Sequence, residues 1–307
     1  MKISELSLNK LKKRLGTSGI YLRTGPFITH LQSKIPSVVN NFALLYANNN
    51  LLDNEDFADF HINLAAPRGL RRWYRPQVMF HFDDQVPFKP LPHQQAFPMM
   101  EWGLNWCISN HAHHYLILHS AVVENNGFSV ILPAPPGSGK STLCAGLISR
   151  GWRLLSDELG LISLEHLELV PLARPVNLKN EAIEVIKKFA PHAIFSCNFA
   201  DTNKGTVALM QAPVTSVVRS NELVKPACIV MPRYMPGKET NLQRESKGQM
   251  FMHVADSAFN YSLLGLTGFE TLVKLIDRCD CYTFTYSKLQ EAIETFDELA
   301  TANNTTC

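Results

Sequence analysis

At 307 residues, with 46% hydrophobic and 18% charged side chains, the chain can bury a core in one large domain or two modest ones. A net charge of +2 favours no polyanionic partner, and no apolar run approaches the ~20 residues of a membrane span. The basic N-terminus, MKISELSLNKLKKRLG, lacks a signal peptide's apolar stretch, and the seven cysteines are scattered, odd in number and without zinc-ligand spacing; the expectation is a reducing, cytoplasmic setting.

In chain order, residues 1 to about 16 have helical character, and IYLRTGPFITHLQ (20–32) reads as two extended pieces around Gly25-Pro26. Phe60, Ile62 and Leu64 alternate with polar residues, as do Val78, Phe80 and Phe82, which predicts half-buried antiparallel strands. The proline-rich VPFKPLPHQQAFP (86–98) is the connector at which a boundary is expected, and 99–112 reads as a helix. Beyond it, apolar strands are expected over Tyr115–Val123 and Phe128–Leu132, flanking the turn Asn125-Asn126-Gly127. A helix follows over Thr142–Arg150 with Gly151 at its C′ position, then strands over Trp152–Leu155 and Leu159–Leu164. Later expectations are a helix over Lys179–Phe189, a strand over Ala227–Met231, helices near 250–263 and 268–278, and the strand CYTFTY (281–286). The last helix is expected to open on a capping box, Ser287-x-x-Gln290, carries Leu289, Ala292, Ile293, Phe296 and Leu299 on one face, and precedes a TANNTTC tail expected to be disordered. The class is α/β with a β-rich N-terminal region (1–95) before the rest of the chain (96–307).

The chemistry concentrates in ILPAPPGSGKSTL (131–143). A phosphate-binding loop works because a strand delivers a turn of backbone N–H groups to a helix N-terminus, where amides and dipole hold the phosphates. In such a loop Lys140 reaches the β- and γ-oxygens and Ser141 ligates Mg²⁺. The pattern G-x-x-x-x-G-K-[ST] has glycine where this chain has Ala134, followed by Pro135-Pro136, whose φ is fixed near −65°. The phosphate-facing part is intact, so Pro136, Gly137, Ser138, Gly139, Lys140, Ser141 and Thr142 are the expected nucleotide-binding residues. G-x-G-K-[ST] arises by chance in roughly 1% of chains of this length, and the predicted strand before and helix after favour a working loop. Sixteen residues past Ser141, Asp157-Glu158 closes a predicted strand, where carboxylates can hold Mg²⁺ or take a hydroxyl proton.

Three further clusters have bland readings beside their functional ones. HAHHYLILHS contains His111, His113, His114 and His119; without carboxylates or cysteines at ligand spacing, zinc is disfavoured, and on the residues alone His119 reads first as a core histidine. RGLRRWYRP (68–76) interleaves arginines with Trp73 and Tyr74, a single-strand-binding texture that is more often a hairpin tip. Arg174 and Arg233 are either phosphate clamps or surface residues.

The stretch 118–163 resembles the catalytic core of HPr kinase/phosphorylase, with His119 21 residues before Lys140 and Asp157-Glu158 17 and 18 after it. The wider chain resembles the HPr kinase-related kinase A family, through FADFHINLA, PFKPLPHQQAFPMMEWGLNWCI, the alanine-proline-proline loop, PVNLKN, KGTVA, PRY and FNYSLLG. The resemblance implies a P-loop core of the HPr kinase and phosphoenolpyruvate carboxykinase type, in the part of the chain from 96 to 307. It implies ATP-dependent phosphorylation of a hydroxyl, with His119, Lys140, Asp157 and Glu158 as catalytic residues and Ser141, Asp157 and Glu158 around Mg²⁺. It also implies a small PqqD-like partner protein, and a homo-oligomer by likeness to HPr kinases. The chain departs from HPr kinase at Thr142, where that family has glutamate, at Glu158, where it has a second aspartate, and in lacking an E-I-R-G-L-G-type signature. HPr is therefore not the expected acceptor; a serine of a small protein or peptide, or a small hydroxylated metabolite, is. The rival readings are a P-loop NTPase switch and a non-catalytic nucleotide-sensing scaffold. No nucleic-acid partner is expected.

Overall fold

The computed structural model describes residues 1–52, 57–83 and 85–304. Its N-terminal part contains α1 (Leu8–Gly16), β1 (Ile20–Thr24), β2 (Phe27–Ser33), α2 (Pro36–Leu45), β3 (Leu51–Leu52), β4 (Phe60–Ala65), β5 (Gln77–Phe82), β6 (Leu91–Pro92) and α3 (Ala96–His111). Ser7 caps α1 by accepting from the Lys10 N–H, and Pro36 opens α2, where a missing N–H costs nothing. The six strands run in the order β3-β1-β2-β4-β5-β6. The alternation read in the sequence is the register itself, since β4 and β5 pair antiparallel with Ile62 opposite Phe82 and Leu64 opposite Phe80. Together with α3, this sheet buries one cluster that includes Phe42, Leu64, Phe80, Phe97 and Leu104 and reaches Ile117, Leu161 and Leu209. The hydrophobic core therefore does not divide at residue 95.

The remainder holds β7 (Tyr115–Leu118), β8 (Ser120–Asn125), β9 (Phe128–Pro133), α4 (Lys140–Ser149), β10 (Arg153–Ser156), β11 (Gly160–Ser163), β12 (Leu169–Val170) and β13 (Val176–Lys179). It continues through α5 (Glu181–Phe189), β14 (Phe199–Thr202), β15 (Gly205–Met210), α6 (Val214–Val218), β16 (Cys228–Tyr234), β17 (Asn241–Arg244), α7 (Lys247–Asp256), α8 (Tyr261–Arg278), β18 (Asp280–Tyr286) and α9 (Leu289–Asn304). A mixed sheet in the order β10-β8-β9-β16-β18-β17 carries the middle of this region, with two three-stranded sheets, β12-β11-β7 and β13-β15-β14, beside it. In the mixed sheet β9, β16 and β18 are parallel neighbours, and α4 and α9 cover a face through Leu143, Leu147, Ile293 and Phe296. Parallel strands buried on both faces read as continuous apolar runs, as VILP in β9 does.

Five local expectations are corrected. Tyr115–Val123 is two strands in two sheets: β7 pairs with β11, β8 with β9 and β10, and the break falls at His119, whose backbone N–H donates to Ser257 O at 2.8 Å. Lys179 closes β13 instead of opening a helix, because its backbone pairs with Val207. The Ser287 hydroxyl donates to Lys238 O instead of capping α9. The tail's first four residues, through Asn304, continue α9, and the last three, with Cys307, lie outside the described residues. The expected helix near 250–263 is also interrupted, giving α7 and α8, and α8 itself breaks at Gly265 with φ 56°.

Candidate functional site

The loop between β9 and α4 is shaped by two glycines in the left-handed region, Gly137 at φ 87° and Gly139 at φ 88°. Ala134 is buried at the end of β9, and Pro135, Pro136 and Gly137 are exposed, so the chain leaves the strand through prolines and turns only at Gly137. The neighbouring strand ends brace it: Tyr234 N–H donates to Ser138 O at 2.9 Å, and Tyr286 Oη donates to Gly139 O at 3.0 Å. A Cβ at position 139 would lie 2.4 Å from Tyr286 Oη, so only glycine fits there. Lys140 opens α4, buried, and its Nζ finds no hydrogen-bond partner.

Opposite the loop stands the corner after β10. Asp157 is buried; its Oδ2 accepts from the Asn177 backbone N–H at 3.0 Å, and its Oδ1 has no partner. Burial, and next the charge of Glu158, push the Asp157 carboxyl up to about 6, against the pull of Lys140, the Asn177 N–H and the nearby Ser141 hydroxyl. Glu158 is half-buried and accepts from Asn105 Nδ2. Burial would raise its carboxyl, but Lys204, Lys179, Lys140 and His119 together hold it below the usual carboxylate range. Two adjacent acids are thus driven apart in acidity. Lys140 is lowered by burial, with Asp157 and Glu158 opposing. His119 is lowered to about 4 by burial and by Lys140, with Glu158 opposing, so its ring is neutral at physiological pH.

Among the described residues ten buried side-chain polar atoms lack a partner, and five belong to Ser120, Ser138, Lys140, Asp157 and Asn177. Buried polar groups are ordinarily satisfied, so this concentration around one loop and one corner singles that region out as the candidate site. Loop residues 136–142, Lys140, Asp157, Glu158 and His119 come together at one end of the mixed sheet, His119 by its electrostatic reach to Lys140 and Glu158.

Sequence reading missed the side chains that hold Glu158. Arg174 is buried and fully engaged: Nη1 donates to Asn105 Oδ1 at 2.7 Å, and Nη2 to Glu101 Oε2 at 2.6 Å. Tyr46 Oη donates to Glu101 Oε1 at 2.7 Å, so a chain of polar contacts runs from Tyr46 through Glu101, Arg174 and Asn105 to Glu158. Arg174 is therefore no phosphate clamp but the buried counter-ion of Glu101, while Arg233 is exposed one residue before Tyr234. Lys179 and Lys204 sit in PVNLKN and KGTVA, stretches that carried the resemblance without a role for either lysine. Lys204 Nζ lies 5.0 Å from the Trp102 ring centroid, a cation–π contact.

His111 packs on Phe82 and His114 on Tyr115, with ring centroids 4.9 and 4.2 Å apart. No three His, Cys, Asp or Glu side chains converge as metal ligands among the described residues. Trp73 and Tyr74 are exposed in the loop after Leu70–Arg72. The six described cysteines are free, five of them buried. No helix among the described residues is long and apolar enough to cross a membrane.

No protein-family profile matches the chain, and no curated protein matches it. Among solved structures, the Hpr(Ser) kinase/phosphatase from Coxiella burnetii aligns with 62% of this chain and 96% of its own, at 12% identity and a TM-score of 0.29. A superposition that loose supports no inference about activity. The site stands on its own geometry.

Proposed function

We propose that the chain is an ATP-dependent phosphotransferase that phosphorylates a hydroxyl group, with a P-loop core around β9 and α4. The observation that carries this reading is the pair of buried, unpartnered atoms facing the phosphate loop's chemistry, Lys140 Nζ and Asp157 Oδ1. A buried ammonium without a partner is costly unless an anion arrives, and a γ-phosphate is such an anion.

In this mechanism the backbone N–H groups of Gly137–Thr142 and the start of α4 bind the β- and γ-phosphates, and Lys140 balances their charge. The acceptor oxygen attacks the γ-phosphorus, the bond to the β-phosphate oxygen breaks, and ADP leaves. Asp157 takes the hydroxyl proton; a carboxyl at about 6 is ionised at neutral pH yet more basic than an ordinary aspartate. Glu158, held by Asn105 and surrounded by lysines, stays ionised throughout. Neutral His119 orients the acceptor hydroxyl by hydrogen bonding. The donor set suits Mg²⁺, because Ser141 and Glu158 offer hard oxygens that would hold the ion, which leaves the unsatisfied Asp157 Oδ1 for the proton. Bound there, the ion would neutralise charge on the phosphoryl oxygens. The acceptor is a serine of a small protein or peptide, or a small hydroxylated metabolite.

The test incubates the protein with γ-labelled ATP and Mg²⁺ in a lysate split into small-molecule and macromolecular fractions, with Lys140→Ala alongside. Label should enter one fraction only when Lys140 is present. Label released solely as free phosphate would make the protein an NTPase switch; binding without turnover would make it a nucleotide sensor.

A further inference from the structure

A second cleft of about 320 Å³ lies on the seam between the N-terminal sheet and α6. It shares no residue with the phosphate loop or the acidic corner. Its polar lining is one-sided in charge: Lys2 and Arg23 contribute two cations, and no carboxylate lines it among the described residues. Around them stand Asn48, Asn49, Asn50 and Asn221, whose side-chain amides make no hydrogen bond within the described chain. Asn49 is 6% exposed as a residue, and its amide, which can both donate and accept, still reaches solvent, so it is available to a ligand in the cleft. Among the described residues neither Lys2 nor Arg23 pairs with a carboxylate; the Glu5 side chain accepts from the Lys2 backbone N–H at 3.0 Å. Val217 and Val218 supply an apolar wall.

The cleft is built on fixed elements. The turn between β1 and β2 presses against the segment before Arg174, since a Cβ on Gly25 would lie 2.0 Å from Pro171 O. Bridges between Lys2 and Asn50 and a hydrogen bond from Leu51 N to Met1 O hold the N-terminus beside β3. Ala173 lines this cleft while Leu172 and Arg174 line the small cavity at the acidic corner, so the two sites share one wall.

We propose that this cleft binds a small organic anion rich in oxygen: a carboxylate or phosphate group held by Lys2 and Arg23, with further hydroxyl or carbonyl oxygens meeting the asparagine amides. Two unpaired cations without an acid select an anion, and amides that donate and accept select a multiply oxygenated skeleton. A volume of this size takes a metabolite and not a polymer.

Citrate and inorganic phosphate serve as probes, titrated calorimetrically at physiological ionic strength into wild type, Arg23→Gln, Asn50→Asp and Lys140→Ala. Arg23 and Asn50 are exposed, so both variants should fold, which near-ultraviolet circular dichroism checks. Citrate should bind wild type, weaken at least tenfold in Arg23→Gln, and weaken again in Asn50→Asp, which adds a like charge. It should keep its affinity in Lys140→Ala, where the phosphate loop is disabled. Citrate binding that survives Arg23→Gln and Asn50→Asp, or disappears in Lys140→Ala, overturns the proposal. So does failure of both anions to bind below roughly 10 mM, an affinity too weak for a built site.

Discussion

Asp157→Asn should separate stability from function, in opposite directions. In the folded chain the Asp157 carboxyl sits at about 6 against 3.8 for a free side chain. The native state therefore holds this proton more tightly than the unfolded chain, and the stability so gained is complete below 3.8 and lost as pH rises through 6. Those two values, at about 1.36 kcal/mol per pH unit, correspond to about 3 kcal/mol. That figure already includes the attraction of Lys140, which pulls the value down. Asparagine has the size of the protonated acid and cannot ionise. The variant should match wild type near pH 4 and exceed it by up to about 3 kcal/mol at pH 7.5, while losing phosphoryl transfer. His119 works the other way: its folded value of about 4 lies below 6.5, so its stability is present above 6.5 and fades as pH falls. The two slopes oppose each other between pH 4 and 6, so wild type should look flat there and Asp157→Asn should reveal the rising histidine limb. Urea unfolding followed by tryptophan fluorescence at half-unit steps from pH 4 to 7.5 reads this directly. A stability difference that stays constant across those pH values would show that Asp157 ionises in the fold without penalty, and the case for it as a neutral-pH base would fail.

Other consequences are testable in the same preparations. Gly139→Ala forces φ near 88° on a residue with a Cβ that meets Tyr286 Oη; it should cost about 1–3 kcal/mol of stability and most nucleotide affinity, read by denaturation and by ATP titration. Arg174→Met leaves Glu101 buried without its counter-ion and should destabilise by roughly 3–5 kcal/mol, with Glu101→Gln in the same chain recovering part of the loss in urea melts. The kcat/KM profile against pH should show an acidic limb near 6 from Asp157, and that limb should remain in His119→Gln, because the imidazole is already neutral there.

Local pattern made much of the architecture legible before any tertiary contact was known. The alternation of Phe60, Ile62 and Leu64 against Val78, Phe80 and Phe82 foretold β4 and β5, because side chains in a strand alternate faces whatever the partner. The strand, loop and helix around Gly137-Ser138-Gly139-Lys140 were equally readable, since two glycines and a helix start are local backbone requirements. Spacing also put Asp157-Glu158 at the end of a strand, where the structure has them. The failures arose where a choice between partners decided. The polar pair His119-Ser120 interrupts the apolar run Tyr115–Val123 but did not by itself show that the chain changes sheet there, because both flanking halves are apolar and buried; the break is made by Ser257, more than a hundred residues away. Nothing in PLARPVNLKN distinguished Arg174 as a buried ion pair from a surface arginine, since its partners lie on α3 and at the end of α2. The unequal acidity of Asp157 and Glu158 was likewise invisible: two neighbouring carboxylates differ only once Asn177, Asn105, Lys179 and Lys204 have been brought around them. Sequence by itself determined the covalent order, the periodicities and the loop chemistry, which depend on neighbours along the chain. The tertiary structure alone decided which polar groups were satisfied and which were left waiting, because burial and partnership are properties of contacts between distant segments.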